Sequence, residues 1–264
     1  MSQTFLSFLR KASIPENNLE INLIDHIGTY LDVARIGYEA LEATALLRTK
    51  KIKIEVFLST LFKMNLERND PDELIIFGLG YVWNELSKKK KVQDLFYSLI
   101  SRLSQSDKKV LVFLLEPANQ MICRSAMEFR ESLTEAGYHP VYPCTHNKSC
   151  PMLQRTRDWC YSEGLWNRPP ELIKIDDLME IDRSKLKSAS YVFSSKALTK
   201  ALNLHFQEKS VIVGRPQKTK KIEKGGHTYT KKVDAFEYLV CSSEGLSKVP
   251  HKKEATLMFR GSFL

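Results

Sequence analysis

The chain has no apolar run approaching the roughly 20 residues a membrane-spanning helix needs, so a helical transmembrane role is set aside. It has no G-x-G-x-x-G loop, no Walker-type loop and no Ser/His/Asp set in a recognisable context. The common dinucleotide, P-loop and serine-hydrolase signatures are therefore absent. There is no internal repeat, which removes solenoids and propellers. Acid is in short supply: 31 Asp and Glu stand against 40 Lys and Arg, for a net charge of +9 and a pI near 9.2. A balance of that sign points to an anionic partner, most often nucleic acid. Cysteine is sparse, odd in number at five, and not spaced like a small secreted disulfide scaffold.

The few cysteines present carry the strongest chemical signal. Cys144, Cys150 and Cys160 fall in PCTHNKSCPMLQRTRDWC, and Cys241 ends the apolar run Tyr238-Leu239-Val240 much later. Thiolates are soft ligands that favour zinc or iron–sulfur clusters. Zinc loops more often use C-x2-C pairs, so C-x5-C-x9-C tilts the reading toward a four-thiolate 4Fe-4S cluster, with zinc as the alternative. His146, inside the loop, can replace one Cys at zinc or stand behind a sulfur as a hydrogen-bond donor. Cys123 sits in an expected helix and stands apart.

The chain is long enough for one or two domains with a sizeable core. Its first half alternates apolar strands with helical patterns. Strands are expected at Leu19 to Ile24, Ile52 to Leu58, Asp72 to Gly80 and Lys109 to Leu115. Helices are expected across Ile27 to Leu47, near Lys91 to Leu103, and over Cys123 to Ala136 with Gly137 as the C-cap. Such alternation predicts a parallel, doubly wound α/β sheet. The expected divisions are an α/β domain at 1–143, a cysteine-rich metal-binding insertion at 144–187 and a basic β-rich module at 188–264. The N-terminal stretch, with Phe5, Phe8 and Leu9 on one face, reads as an amphipathic helix better than as a transit peptide.

Residues 214–264 hold eleven Lys/Arg against five Asp/Glu. Arg215, Lys218, Lys220, Lys221 and Lys224 cluster before the Gly225-Gly226 turn, with Lys231 and Lys232 beyond it. A hairpin of this kind can lay cations along a phosphate backbone, with His227 and Tyr229 as stacking surfaces. A solvated lysine loop is the plainer alternative. Arg155, Arg157 and Arg168 around the cysteine loop add to the RNA reading as a group. Asp25 ends a strand before a helix, where a carboxylate either accepts ribose hydroxyls or caps the helix.

PVYPCTHNKSCPMLQRTRDWC resembles the APCPH…CP…WCH signature of a methyltransferase-like ribosomal small-subunit family. FLLEPANQMICRSAMEFRESL, DELIIFGLGYVWNELS, SASYVFSSKAL, VGRPQKTK and EYLVCSSEGL are similar to further segments of that family, from about residue 19 onward. The resemblance implies a partial S-adenosylmethionine methyltransferase-like, Rossmann-like sheet with a four-cysteine metal loop and a small C-terminal β-rich module. It implies Cys144, Cys150, Cys160 and Cys241 as ligands of a 4Fe-4S cluster, and Asp25 as the residue beside the ribose of S-adenosylmethionine. The partners implied are the small ribosomal subunit and its rRNA, with no membrane and a monomer off the ribosome. The expected compartment is a bacterial cytoplasm, with the mitochondrion as the alternative. The family's first strand and glycine-rich cofactor loop have no counterpart here, so the expectation is a truncated or degenerate methyltransferase fold. Tyr161 stands where the family has His, and Ala118 where it has Gly. These departures weigh against catalysis more than against the cluster. The expected role is a non-catalytic rRNA-binding assembly or translation factor. An active rRNA methyltransferase and a zinc-containing nucleic-acid binder are the alternatives.

Overall fold

The computed structural model describes residues 20–40, 46–63, 73–144, 146–203, 211–221 and 232–250. The chain divides into two compact units, Met1–Arg68 with Lys89–Leu99, and Asn69–Lys88 with Ile100–Leu264.

In the first unit, β1 (Glu20–Asp25) and β2 (Leu46–Lys51) pair in parallel, with Glu20 opposite Leu46 and Asp25 opposite Lys51. The helix α1 (Gly28–Glu39) lies between them in sequence, as parallel neighbours require a crossover. Its Leu31 and Tyr38 are buried, whereas Tyr30, Val33 and Ile36 are exposed. Two expectations change here. The helix expected to reach Leu47 ends at Glu39, and β2 follows. The stretch Ile52 to Leu58, which alternates like a strand, instead enters the helix α2 (Ile54–Lys63). Ile54, Leu58 and Leu61 recur at spacings of four and three, and Leu58 is buried, so the 3.6-residue period overrides the short alternation.

In the second unit the sheet order is β3 (Leu74–Gly80), β4 (Lys109–Pro117), β7 (Lys185–Ser194), β5 (His139–Tyr142), and β6 (Ser162–Leu165) also pairs with β7. Only β3 and β4 run parallel; β7 is antiparallel to β4, β5 and β6. The sheet is therefore mixed rather than wholly parallel. It keeps a Rossmann-like α/β character, with α3 (Trp83–Leu86), the end of α4 (Lys90–Gln105, of which residues 90–99 belong to the first unit), α5 (Gln120–Glu135), α6 (Pro170–Leu178) and α7 (Lys196–Ala201) interleaved in sequence. The strand β7, which overlaps the start of the expected basic module, is thus part of this sheet.

The core follows the strand period. Val110, Val112 and Leu114 of β4 are buried alternately, as are Ala189, Tyr191 and Phe193 of β7. The fully buried Trp83 meets Phe129 edge-on at 4.5 Å, and its indole N–H donates to Ser125. Asn119 caps α5 by accepting from the Ile122 amide at 2.9 Å. Gly137 ends that helix at φ +89°, a conformation that favours glycine. The strands β8 (Val211–Lys221), β9 (Lys232–Ser242) and β10 (Gly245–Pro250) form a second, antiparallel sheet in the order β10-β9-β8.

Candidate metal centre

The cysteine loop leaves β5 at Pro143 and reaches β6 at Ser162. It has almost no regular structure, so its backbone polar groups need partners from elsewhere. One face of α5 supplies them. Arg124 donates to the carbonyls of Arg155 at 2.7 Å, Asp158 at 3.0 Å and Leu153 at 3.2 Å. Met127 Sδ accepts from the Cys160 amide at 3.3 Å. Arg130 donates to the His146 carbonyl, and Glu131 Oε1 accepts from the Cys150 amide at 3.0 Å. Positions 124, 127, 130 and 131 recur at helical spacing and form one stripe. The loop is thus pinned at six of its residues by these four side chains of a single helix.

Cysteine positions follow from this anchoring. Cys150 is buried, and Cys144, Cys160 and Cys241 are partly so. Burial pushes the Cys144 thiol up to about 11 and the Cys241 thiol up to about 12, and raises Cys150 and Cys160 as well. Beyond burial, the thiols act on one another. Cys144 feels Cys150; Cys160 feels Cys144, Cys150 and Cys241; Cys241 feels Cys144 and Cys150. Two chain segments separated by some eighty residues therefore meet: β9 carries Cys241, opposite Val211 and Leu246 in its sheet. Cys123 is raised to about 12 by burial alone and takes no part. Among the described residues, no group of three or more His, Cys, Asp or Glu side chains is arranged to hold a metal ion.

Three residues around the thiols were not singled out from the sequence. Arg130 is 1% exposed, ion-paired to Glu131 and 3.4 Å from His146 Nδ1, and a negative charge on Cys144 would favour its cationic form. Tyr191 is buried in β7, where burial and the neighbouring Cys160, Cys144 and Cys150 raise its hydroxyl pKa. Glu131 links Arg130 to the Cys150 amide. The available signal was the pair of opposite charges amid the buried stripe Ala126, Met127, Phe129 and Leu133. His146 is buried, with its Nδ1 3.4 Å from Arg130 and its carbonyl accepting from the same guanidinium.

The other expected site residues fare differently. Asp25 Oδ1 accepts from the Ile27 amide at 2.8 Å and lies 3.4 Å from His26 Nδ1, the geometry of a turn-closing carboxylate at a helix start. Arg168 does not face outward for RNA: with Arg183 it clamps the buried Asp176, at 2.8 Å on its own side. Arg155 lies 3.5 Å from Asp158. Arg215, Lys218, Lys220 and Lys221 lie in β8. Lys224, Lys231, His227 and Tyr229, the tail beyond Pro250 and the N-terminal amphipathic segment lie outside the described residues.

The mixed α/β sheet is consistent with a Rossmann-like, methyltransferase-like fold. Residues 20–222 match the family model described as mitochondrial small ribosomal subunit Rsm22, and the chain belongs to that family. The match takes in Cys144, Cys150 and Cys160 and ends before Cys241. Its description speaks of a mitochondrial ribosome, not of the bacterial cytoplasm expected from the sequence. No curated protein matches the chain. No described helix is long and apolar enough to cross a membrane.

Proposed function

We propose that this chain is an rRNA-binding factor of the small ribosomal subunit in which Cys144, Cys150, Cys160 and Cys241 hold a 4Fe-4S cluster. The observation that carries the reading is the placement of three cysteines in one loop pinned to α5 and of the fourth on β9, with thiols near enough to raise one another's pKa. Buried thiols that raise one another's pKa repel as thiolates, and a cation among them removes the penalty by replacing the protons. The donor set fits a four-thiolate group, with zinc as the competing occupant. Four protein ligands leave no open coordination position, so the group supplies structure rather than chemistry on a substrate. It joins the cysteine loop to β9 and so fixes the basic sheet relative to the loop. Arg215, Lys218, Lys220 and Lys221 on β8, with Lys224 beyond it, give that sheet its charge toward RNA phosphates. The compartment follows the ribosome it attends, mitochondrial in the family's description.

Anaerobic purification followed by iron, sulfide and zinc analysis with an absorption spectrum tests the site. About four irons and four sulfides per chain support the cluster, as a cubane on four thiolates demands. One zinc without sulfide replaces it, and no metal overturns the site. Calorimetry with S-adenosylmethionine tests the non-catalytic role: binding well below millimolar overturns it.

A further inference from the structure

Arg130 is a full charge buried to 1% exposure on α5, beside a set of groups that are neutral as thiols. Its nearest carboxylate, Glu131, is 23% exposed and is shared with the Cys150 amide, so its compensation is partial. Burying a guanidinium to this extent costs stability even when it is ion-paired. The cost disappears when the neighbouring sulfurs carry negative charge. Four thiolates around a zinc ion, or around a cubane in its resting state, leave the whole site at a net charge of two minus. Arg130 donates to the carbonyl of His146, two residues from Cys144, and pairs with Glu131, which accepts from the Cys150 amide; its charge acts to lower the thiol pKa of Cys144, Cys150 and Cys241. Three of the four thiols therefore have one cation in common, held in place by the His146 carbonyl and Glu131.

We propose that Arg130 is the fixed counter-charge of the four-thiolate site, and that Glu131 sets how much of that charge the thiolates receive. The inference rests on the metal reading above and deepens it. Arg130 makes the loaded protein more stable and the stripped protein less so. Glu131 does the reverse, because its carboxylate competes with the sulfurs for the guanidinium. In an iron site, reduction adds one electron and no proton to an already anionic buried group. Arg130 then favours the reduced form.

The test compares wild type, Arg130→Met and Glu131→Gln, each full-length and purified without oxygen. The methionine keeps the apolar stem and removes the charge. The glutamine keeps an acceptor for the Cys150 amide and removes the competing carboxylate. Melting is measured with metal in place and after chelation, together with the rate at which a chelator strips the metal. The expected result is opposite signs. Arg130→Met loses metal at least tenfold faster, and its chelated form melts no lower than chelated wild type. Glu131→Gln holds metal at least as long as wild type. If the site carries iron, the Arg130→Met midpoint potential moves negative, by 59 mV for each tenfold change in a one-electron couple. Loss of metal in both variants overturns the inference, because a shared structural role weakens the site from either side. Unchanged stripping in Arg130→Met also overturns it. A wild-type protein without metal overturns the metal reading itself, and this inference with it.

Discussion

Arg124 offers the sharpest test of how the cysteine loop is built, because its contribution does not depend on which metal the loop holds. Its guanidinium spans three loop carbonyls, at 2.7 Å, 3.0 Å and 3.2 Å. Hydrogen bonds from a charged donor contribute about 1.5–3 kcal/mol each. The bond to Arg155 is exposed, so water replaces it when Arg124 is lost. The bonds to Asp158 and Leu153 are partly buried and are replaced less well. The structure thus assigns about 3 kcal/mol to the clamp, treating two bonds as effective at the lower end of that range. Arg124→Met retains the stem packing and removes all three donors. If the loop opens locally, amide exchange over residues 150–160 accelerates by about a hundredfold, since 1.4 kcal/mol is a factor of ten. If opening is coupled to global unfolding, melting falls by roughly 6–12 °C, at 2–4 °C per kcal/mol for a domain of this size. Exchange mass spectrometry on the chelated protein reads the first, and calorimetry the second. Unchanged exchange over the loop together with unchanged melting refutes the clamp.

Three further outcomes follow from the same geometry. Cys241→Ser abolishes bound metal and lowers melting, whereas Cys123→Ser leaves metal content unchanged; equal metal content in both variants rejects the ligand assignment. Glu116 is fully buried at the end of β4, accepts from the Trp83 amide at 2.6 Å, and is raised by burial against the opposing amides of Trp83, Asn84 and Val82. Because its folded pKa lies above the unfolded one, its contribution is fully present below the unfolded value of 4.5 and is lost as pH rises through the folded one. Glu116→Gln therefore gains on wild type as pH rises from 4.5, by up to about 1.4 kcal/mol per unit within that window, and parallel stability curves reject the reasoning. Reversing the charge of Lys220 and Lys221 lowers rRNA affinity and reduces the slope of log K against log salt by about 0.7 for each single-strand phosphate contact removed; an unaltered slope places RNA elsewhere.

Much of the second unit was legible because its strands are strong signals. The continuous apolar run of β4 bounded by Lys109 and Pro117 reads as a buried strand, and Gly137 marks the end of α5 by its left-handed backbone. What the sequence concealed has physical reasons. The orientation of β7 is fixed by pairing with β4, β5 and β6, a non-local property that no local pattern carries. The strand β6, Ser-Glu-Gly-Leu, has too little apolar content to announce itself and exists through its register with β7. The helix α6 was hidden in the charged stretch after the cysteines, where Asp176 turns inward because Arg168 and Arg183 neutralise it. The four cysteines were visible as a set, but their supports were not. Arg124, Arg130 and Glu131 resemble any charged residues of an amphipathic helix until the loop is laid against them.

The division of labour between α5 and the proposed metal explains why the fourth cysteine lies so far along the chain. The three loop cysteines are already positioned by side chains of α5, so a metal bound to them alone would add little order. Cys241 belongs to a separate sheet, and closing the long chain segment between Cys160 and Cys241 costs configurational entropy that grows only slowly with its length. A metal drawing on both ends makes that closure part of its own binding energy. In the absence of metal, burial holds the thiols toward their protonated form and Glu131 alone balances the buried Arg130, so the same joint is weakened by the charge that strengthens it when loaded. Registration of the basic β8–β9 sheet against the cysteine loop thereby becomes conditional on metal. The consequence for rRNA is specific: stripping the metal should lower affinity without removing a single lysine, and should do so far less in Cys241→Ser, where the joint is already open. Equal loss of affinity on chelation in wild type and Cys241→Ser would place the metal's effect outside this joint.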